Sequence, residues 1–385
     1  MAERALAHIE KIEWVKPIEG ADNIELIGVL GWICIAKIGE FKTGDTAVYI
    51  EIDSRCPEND RRFEFLASKH YKVKTMRLGK FKVISQGLAL PITMFPELID
   101  KPIGSDVTNE LKITYSSEDD VARKSNRVDP DAKYKSMMNR HKKVFKHSLA
   151  KRIMKNKIGR KVMFLIFGKK KDNPKNFPDW IVKTDETRIE NAPFYLKDTN
   201  KWVKTEKLDG TSCTFAVNKG KKNEYEFIVC SRNVRQADMD QDCYHKSNIY
   251  WELAEKYNIE PVLKLFATNN GYDRVVLQGE GVGSVQGNPY NLTENRLYVF
   301  NLIINGNRLG TVEMAKFCDE NGLRHVPIID TEYTLPSTME EMKLEADGYS
   351  TINPKVKREG FVYRSTDGQK SFKNVSREYL LKHNG

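Results

Sequence analysis

Lys207 stands in the segment WVKTEKLDGTSCTF, where a K-x-D-G pattern separates two stretches of alternating apolar and polar residues. The alternation predicts a strand on each side, which places the lysine on a tight turn at the mouth of a pocket. A lysine amine can attack phosphorus once it has lost its proton, but its ordinary pKa of about 10.4 keeps it protonated at neutral pH. The pattern alone is weak evidence, because K-x-D-G arises by chance in roughly one chain in ten of this length.

Five further short motifs follow Lys207 along the chain. In order, they are Ser231-Arg232-Asn233, Gly279-Glu280-Gly281, Tyr298-Val299-Phe300-Asn301, Glu359-Gly360-Phe361-Val362-Tyr363 and Ser371-Phe372-Lys373. Taken singly, Phe300 would more often be a core residue of a strand, and Arg232 or Glu359 a surface charge. The ordered set is far rarer by chance than any one member, so it indicates one composite site.

This ordered set resembles the nucleotidyltransferase motifs of ATP-dependent RNA ligases, as do KTDETR at 183–188, with Asn191, and VQGNPY at 285–290. The resemblance covers residues 173–385. The segment SQGLALPI and the strands before it are similar to the OB domain that one RNA ligase group carries at its amino terminus. The resemblance implies an ATP-dependent RNA ligase that forms lysyl-AMP on Lys207, passes the AMP to a 5′-phosphate and joins that end to a 3′-OH.

Roles for individual residues also follow from the resemblance. The nucleotide-binding set that it implies comprises Glu206, Asp209, Gly210, Ser212, Arg232, Glu280, Phe300, Glu359, Lys373 and Lys183. Within this set, Phe300 would stack on adenine, Glu206 would help to recognise the base and Arg232 would reach the sugar. Asp209 and Glu280 would also lie near the ribose hydroxyls. Lys373 and Lys183 would hold the α-phosphate and offset the charge that grows on the leaving pyrophosphate.

The last motif departs from the family's pattern. Such ligases commonly have two lysines two residues apart, whereas here Ser371 takes the first place and the extra lysine is Lys370. The departure puts a phosphate contact by Lys370 in doubt.

The chemistry at Lys207 also predicts a divalent cation, Mg²⁺ or Mn²⁺. Nearby positive charge disfavours the ammonium form, and each unit by which the pKa falls corresponds to about 1.4 kcal/mol. Hard cations prefer oxygen ligands and keep several waters. We therefore expect Asp209, Glu280 and Glu359 to anchor the metal through water.

The elements that must position these residues begin with a strand-rich segment. The runs IELIGVL, WICIAKI, TAVYIEI and KVKTMRL alternate within the first hundred residues and predict a small antiparallel barrel of the OB type. Lys72, Lys74, Arg77 and Lys80 lie near Phe81, a mixture of cations and an aromatic ring that OB barrels use against single strands. An ordinary charged outer face would give the same pattern.

Charge is unevenly placed along the chain, whose net charge is +10. Residues 123–171 hold 18 Lys or Arg against Asp129 and Asp131. Apolar residues at helical spacing predict one or two basic helices here. A block of this kind can gather phosphates and release counterions, which makes nucleic acid the expected class of partner, and the resemblance implies RNA. A solvated linker is the equal alternative, and the two do not exclude each other.

The remaining half predicts a mixed fold, because strand patterns return after residue 173 and alternate with helices at Cys243–Tyr257, Val312–Glu320 and Thr338–Ala346. The expected class is therefore α+β. An OB-fold domain would span 1–115, a basic helical linker 116–172, and an ATP-grasp-like ligase domain of antiparallel sheets and helices 173–385.

Several classes of protein are disfavoured. No apolar run could cross a membrane, so a soluble intracellular protein without membrane contact is expected. A monomer is also expected. The six cysteines form no C-x-x-C pair, which favours reduced thiols and no zinc site. A P-loop is absent from the sequence, so the ends should already bear 3′-OH and 5′-phosphate. Only 12 residues follow Lys373, too few for the trailing OB domain of DNA ligases and capping enzymes.

Two alternatives stay open. One is an RNA-capping guanylyltransferase, which would load GMP instead of AMP. The other is an RNA-binding OB protein whose catalytic half is vestigial. For a ligase, the substrate could be a nick in duplex RNA, an RNA–DNA hybrid nick or a broken loop.

Overall fold

The computed structural model describes residues 5–115, 142–145, 147–154, 156–167, 175–220, 224–236 and 248–383. Two compact units form within them. One contains the described residues of Met1–Ser116, Asn176–Gln236 and Ser247–Gly385, and the other lies within Ser117–Lys175. Among the described residues, no helix is long and apolar enough to cross a membrane.

The N-terminal part of the large unit is built from strands and short 3-10 helices. Its strands are β1 (Ala7–Pro17), β2 (Ile24–Val29), β3 (Trp32–Lys37), β4 (Thr46–Ile50), β5 (Ser54–Arg55), β6 (Met76–Leu78), β7 (Val83–Ser85), β8 (Leu88–Pro91) and β9 (Thr114–Tyr115). Its 3-10 helices are Arg61–Lys69, Ile92–Met94 and Pro96–Leu98. Five of the strands form one antiparallel sheet in the order β3-β2-β1-β4-β8.

Strand β1 is long enough to pair with two neighbours. Its first half pairs with β4 from Ala7 to Lys11, and its second half pairs with β2 from Ile12 to Pro17. The register shifts between Ile12 and Trp14, as a bulge does when it bends a strand. The bent sheet is an OB-like half-barrel, which confirms the expected OB-type fold of this part.

The prediction of one strand across KVKTMRL is wrong for its first half. Only Met76–Leu78 is a strand, and it pairs with Val83–Ser85 in a separate hairpin. The preceding 3-10 helix ends through His70 and Tyr71, whose φ angles are 52° and 59°. Two consecutive left-handed residues turn the chain sharply, so the segment from Lys72 onward does not extend at once.

The catalytic half of the large unit contains two main sheets. Its strands are β10 (Lys175–Asn176), β11 (Trp202–Lys207), β12 (Thr211–Lys219), β13 (Tyr225–Cys230), β14 (Val234–Arg235), β15 (Arg274–Val282), β16 (Arg296–Ile304), β17 (Asn307–Arg308), β18 (Ile328–Tyr333), β19 (Gly360–Ser365) and β20 (Ser371–Val375). The larger sheet has the order β10-β14-β13-β12-β15-β16-β17, and the smaller has the order β18-β11-β19-β20. Short 3-10 helices, Ile189–Asn191 and Pro193–Lys197, precede β11.

Helices complete both units. The small unit has α1 (Lys142–Phe145), α2 (Ser148–Met154) and α3 (Lys157–Phe167), and the large unit has α4 (Ile249–Lys256), α5 (Ile259–Asn270), α6 (Thr311–Glu320), α7 (Met339–Ala346) and α8 (Arg377–His383). Phe145, Ala150, Met154 and Met163 bury against one another in the small unit. The described part of the predicted basic linker is thus helical, and the mixed strands and helices confirm the α+β class.

Three helices were expected after residue 173, at Cys243–Tyr257, Val312–Glu320 and Thr338–Ala346. The helices at 311–320 and 339–346 agree with the expectation, and Thr338 caps the second by accepting from Glu341 N. The expected helix from Cys243 begins at Ile249 among the described residues, and its earlier part falls outside them. Helix α5 was not predicted, and its Pro261 lies in the first turn, where proline is tolerated.

Apolar packing joins the half-barrel to the end of the chain. Val375 of β20 and Leu380 of α8 lie in the same buried cluster as Ile12, Ile27 and Trp32 of the half-barrel. The five described cysteines are buried and free, as reduced structural thiols would be, and Cys243 falls outside the described residues.

Candidate active site

Lys207 and Glu359 meet where two strands of the smaller sheet end. Lys207 is the last residue of β11 and pairs with Gly360 at the start of β19, so Glu359 lies beside it. The Nζ of Lys207 is 2.8 Å from Oε1 and 2.9 Å from Oε2 of Glu359. The lysine side chain keeps 26% of its surface exposed.

The turn after Lys207 is tight, as the sequence predicted. The backbone N–H of Asp209 donates to the hydroxyl of Tyr290 at 2.7 Å, and Leu208 is buried. A Cβ on Gly210 would collide with the carbonyl oxygen of Gly281 in β15. Glycine is therefore required where the turn crosses the larger sheet.

Glu280 lies opposite Ser212 in the β12–β15 pair, close enough to Lys207 and Glu359 for their charges to act on it. The hydroxyl groups of Ser212 and Thr184 are hydrogen bonded at 2.9 Å. Burial raises the pKa of Glu280 to about 8, and the neighbouring charges of Glu359 and Asp209 add to that effect, against the opposing pull of Lys207. Added positive charge beside Glu280 would favour the ionised carboxylate and lower this raised pKa.

The protein alone does not depress the pKa of Lys207. Burial lowers it, but the carboxylates of Glu359, Glu280 and Asp209 outweigh burial, so the pKa lies above its ordinary value. The expected depression must come from positive charge brought in by another group. Among the described residues, no three His, Cys, Asp or Glu side chains are placed to ligate one metal directly. Carboxylate oxygens suit a hard cation that keeps its waters, and binding of such a cation by Asp209, Glu280 and Glu359 stays a prediction.

Glu206 is buried with one carboxylate oxygen in use. Its Oε2 accepts from the backbone N–H of Thr351 at 2.9 Å and also from the Thr351 hydroxyl. Its Oε1 has no hydrogen-bond partner among the described residues. A buried carboxylate oxygen in this state suits a donor on a ligand, such as a hydroxyl or amino group of a nucleoside.

Asp185 forms ion pairs with Lys373 and with Arg232, the two residues expected to contact the α-phosphate and the sugar. The Nζ of Lys373 is 2.8 Å from its Oδ1, and Nη2 of Arg232 is 3.3 Å from its Oδ2. The backbone of Lys373 donates to Thr187 at 2.8 Å, so the KTDETR segment runs beside β20. Sequence reasoning singled out this segment but did not assign Asp185. Lys183, the residue that it did assign, is exposed.

Phe300 lies at an irregularity in β16. Gln278 pairs with Asn301 and Gly279 with Val299, so Phe300 is the extra residue between two paired positions. Such a bulge turns a side chain out of the strand's regular alternation. Phe300 is half-buried against the cluster that includes Leu208 and Tyr290, beside the Lys207 turn.

Lys370, whose contact with phosphate was in doubt from the sequence, lies beside an acidic side chain instead. Lys370 is exposed and its Nζ lies 3.6 Å from Asp198, while its backbone N–H donates to the Ser365 hydroxyl. It precedes β20 and does not take the place of a lysine at position 371.

The predicted nucleic-acid contacts lie in the half-barrel part. Arg77 and Lys80 are exposed in the β6–β7 hairpin, and Nζ of Lys80 lies 5.0 Å from the centre of the Phe81 ring. Lys72 and Lys74 are half-buried, so less of their surface could meet a strand of RNA. The role of all four stays a prediction.

Polar contacts also tie the half-barrel to the KTDETR segment. Trp32 Nε1 donates to Asn191 Oδ1 at 2.6 Å, and the amide of Asn191 donates to Glu51. Arg188 Nη2 is 3.0 Å from Asp53 Oδ2. The half-barrel therefore supports the same segment that runs beside Lys373.

Comparisons with known proteins cover both parts. A model of an OB-fold domain matches residues 6–92, and a model of the RNA ligase family matches residues 200–381. The chain is similar to the Naegleria gruberi RNA ligase with PPi, at 30% identity and a TM-score of 0.76 over 99% of each chain. A lysine mutant of that ligase with ATP and Mn has 29% identity and a TM-score of 0.75, over 98% of this chain and 99% of that one. A second lysine mutant of that ligase, with AMP and Mn, has 29% identity and a TM-score of 0.76 over 99% of each chain. No curated protein sequence matches the chain.

Proposed function

The chain belongs to the RNA ligase family, and on that premise we propose that it uses ATP to seal RNA ends through an AMP intermediate on Lys207. The observation that carries this proposal is the Lys207 amine, which lies 2.8 Å from Glu359 and close enough to Glu280 and Asp209 for their charges to act on it. An accessible lysine among carboxylates and beside phosphate-binding cations is the arrangement that nucleotidyl transfer needs.

The first step is an in-line displacement at the α-phosphorus of ATP. The Nζ of Lys207 forms the phosphorus–nitrogen bond while the bond from the α-phosphorus to the oxygen bridging the β-phosphate breaks. Pyrophosphate leaves with that electron pair. The ammonium loses one proton to solvent before the attack and a second after it, so the nitrogen of lysyl-AMP keeps one hydrogen. Glu359 holds the amine in position, and Lys373 offsets the charge of the phosphate.

A divalent cation, Mg²⁺ or Mn²⁺, is proposed beside Lys207. Bound through water by Asp209, Glu280 and Glu359, it would supply the positive charge that lowers the pKa of Lys207. Structures of similar ligases with ATP and Mn, or with AMP and Mn, support both ATP and a metal for this chain.

The nucleoside contacts are proposed from the same cleft. Glu206 would accept a hydrogen bond through Oε1, Phe300 would stack on adenine, and Arg232 would reach the sugar. Gly210 and Ser212 would line the turn near the phosphate, and Lys183 would join the phosphate contacts from the surface. The unpartnered oxygen of Glu206 and the bulge at Phe300 support these assignments.

The later steps would transfer the AMP to a 5′-phosphate and then release it. A 3′-OH displaces AMP from the adenylylated end, which forms the phosphodiester. We propose RNA as the substrate, including nicks in RNA–DNA hybrids, and a monomeric enzyme. We also propose domain limits of 1–115, 116–172 and 173–385, with Lys72, Lys74, Arg77 and Lys80 contacting RNA.

Incubation with α-labelled ATP and Mg²⁺ tests the proposal. Wild type should become covalently labelled and Lys207→Ala should not. Lys264→Ala, at a partly exposed lysine of α5, should label like wild type. Labelling from GTP but not ATP would favour a capping enzyme instead. Tight RNA binding with no label from either nucleotide would favour the vestigial protein.

A ligation panel tests the substrate. Each strand that flanks or bridges a nick is made as RNA or as DNA, with 3′-OH and 5′-phosphate ends. Sealing that requires a ribose at the 3′-OH end would support RNA joining, and equal sealing of all-DNA nicks would contradict it.

A further inference from the structure

The side chain of Tyr379, in the C-terminal helix α8, reaches the turn that follows Lys207. Its hydroxyl donates a hydrogen bond to the carboxylate of Asp209. Burial raises the pKa of Tyr379, and the charges of Glu359 and Asp209 raise it further, so the phenol keeps its proton and acts as the donor. Tyr379 therefore contacts a carboxylate of the candidate active site, although none of the short motifs includes it.

The first turn of α8 is fixed to the backbone of Glu359. β20 leads directly into α8 through Ser376, which is buried. The backbone N–H of Ser376 donates to the carbonyl of Glu359 at 2.8 Å. The Ser376 hydroxyl accepts from the backbone N–H of Tyr379 at 3.1 Å and donates to Asp347 at 2.6 Å, so Ser376 acts as an N-cap. Tyr379 thus keeps a defined position relative to Glu359.

The ring of Tyr379 is held by the half-barrel. It is half-buried and packs against the apolar cluster that contains Ile12, Ile27 and Trp32. Leu380, the next residue of α8, is buried within the same cluster. Close packing keeps a side chain in one rotamer, so the position of the hydroxyl is fixed by the ring that carries it. Removal of the hydroxyl alone would leave this packing in place.

A second tyrosine holds the backbone of Asp209. The Tyr290 hydroxyl accepts from the backbone N–H of Asp209 at 2.7 Å, whereas Tyr379 bonds to the side chain. Two side chains from separate parts of the chain therefore fix the place and the orientation of one carboxylate. This carboxylate is also one of the three whose charges act on Lys207. A ligand group that is already oriented loses less freedom when it binds a cation, so the affinity is higher.

We propose that Tyr379 is a positioning residue, whose hydroxyl holds the Asp209 carboxylate in the orientation that binds a divalent cation beside Lys207. This inference rests on the proposed function, in which Asp209 binds that cation through water. Tyr379 acts through Asp209 and forms no bond to the substrate. A hydrogen bond to a charged acceptor is stronger than one between neutral groups, so loss of the hydroxyl should weaken cation binding measurably.

Direct measurement of Mn²⁺ binding tests the proposal. The enzyme is saturated with AMP, which has no pyrophosphate to lose and cannot react with Lys207, and free Mn²⁺ is followed by its electron paramagnetic resonance signal. Tyr379→Phe, which keeps the ring, should raise the dissociation constant of Mn²⁺ about tenfold, a change of about 1.4 kcal/mol. The matched control Tyr349→Phe, at a tyrosine that is 53% exposed, should bind Mn²⁺ like wild type.

The same comparison in an Asp209→Ala background shows whether Tyr379 acts through this carboxylate. Without the carboxylate, the hydroxyl has nothing to orient, so Tyr379→Phe should change the dissociation constant of Mn²⁺ by less than about twofold there.

Adenylation of Lys207 from labelled ATP gives a second readout. Tyr379→Phe should slow this step about tenfold at limiting Mg²⁺, and excess Mg²⁺ should restore the rate to within about twofold of wild type, because mass action compensates for weaker binding. Restoration by the metal also shows that the variant is folded.

The outcomes separate this inference from the proposed function. If wild type never gains AMP on Lys207, the proposed function fails. If wild type is adenylylated, but Tyr379→Phe binds Mn²⁺ like Tyr349→Phe, or weakens binding equally with and without the Asp209 carboxylate, only the positioning role of Tyr379 is overturned.

Discussion

His8 is expected to make the stability of the half-barrel depend on pH. The side chain is 7% exposed, with Nδ1 3.0 Å from Glu10 and Nε2 3.3 Å from Glu51. Burial disfavours the charged ring, but the hydrogen bonds to both carboxylates outweigh burial and raise the pKa of His8 from 6.5 to about 9. Glu51 also accepts from Asn191, so this charge lies at the junction with the catalytic half.

The sign and size of the effect follow from that shift. Below the unfolded pKa both states hold the proton and the contribution is complete, and it is lost as the pH rises through the folded pKa of about 9. At about 1.4 kcal/mol per pKa unit, His8 contributes at most about 3 kcal/mol to the free energy of unfolding.

Urea unfolding followed by tryptophan fluorescence measures this contribution. The free energy difference between wild type and His8→Gln should be about 3 kcal/mol near pH 6 and should approach zero near pH 10. The exposed His70→Asn, which keeps a residue suited to positive φ, should show no such trend. A difference between wild type and His8→Gln that does not change with pH would refute the reasoning.

Three more perturbations test the site and its support. Gly210→Ala should lower the rate of lysine adenylation about tenfold or more and cost about 1–3 kcal/mol of stability, because its Cβ meets a carbonyl of β15. Lys343→Met should cost about 3–5 kcal/mol in urea unfolding, because it leaves Glu190 buried without its ion pair at 2.6 Å. Arg77→Gln and Lys80→Gln should each lower the slope of log affinity for single-stranded RNA against log salt by about 0.7.

Each of these has a clear contrary result. Normal adenylation by Gly210→Ala would mean that the turn can move away from β15. A Lys343→Met protein as stable as wild type would show that the buried ion pair with Glu190 contributes nothing to the free energy of unfolding. An unchanged salt slope in both hairpin variants would remove Arg77 and Lys80 from the RNA contacts.

The central cleft could be predicted because its residues lie in short motifs at strand ends. Lys207 and Glu359 are far apart in sequence, yet β11 pairs with β19 at this point, and the order of the motifs implied such a meeting. Gly210, where the fold leaves no room for a Cβ, is the glycine of the K-x-D-G pattern. The alternation of strands predicted the half-barrel, since the burial of one face fixes the period of two.

Other features depend on contacts that no local pattern encodes. Asp185 pairs with Lys373, which lies 188 residues farther along the chain, and such an ion pair has no sequence signature. The bulge at Phe300 arises from a mismatch between β15 and β16, which a single strand does not reveal. The raised pKa of Lys207 follows from the sum of three carboxylates, and only the fold brings them together.

Mass-spectrometric mapping of AMP tests the central claim most directly. The enzyme is incubated with ATP and Mg²⁺, without RNA, and digested under conditions that preserve phosphoramidates. The account predicts one AMP per chain, on the peptide that contains Lys207, and its loss when pyrophosphate or RNA with a 5′-phosphate is added. AMP on another residue, or none on a folded protein that still seals RNA, would contradict it.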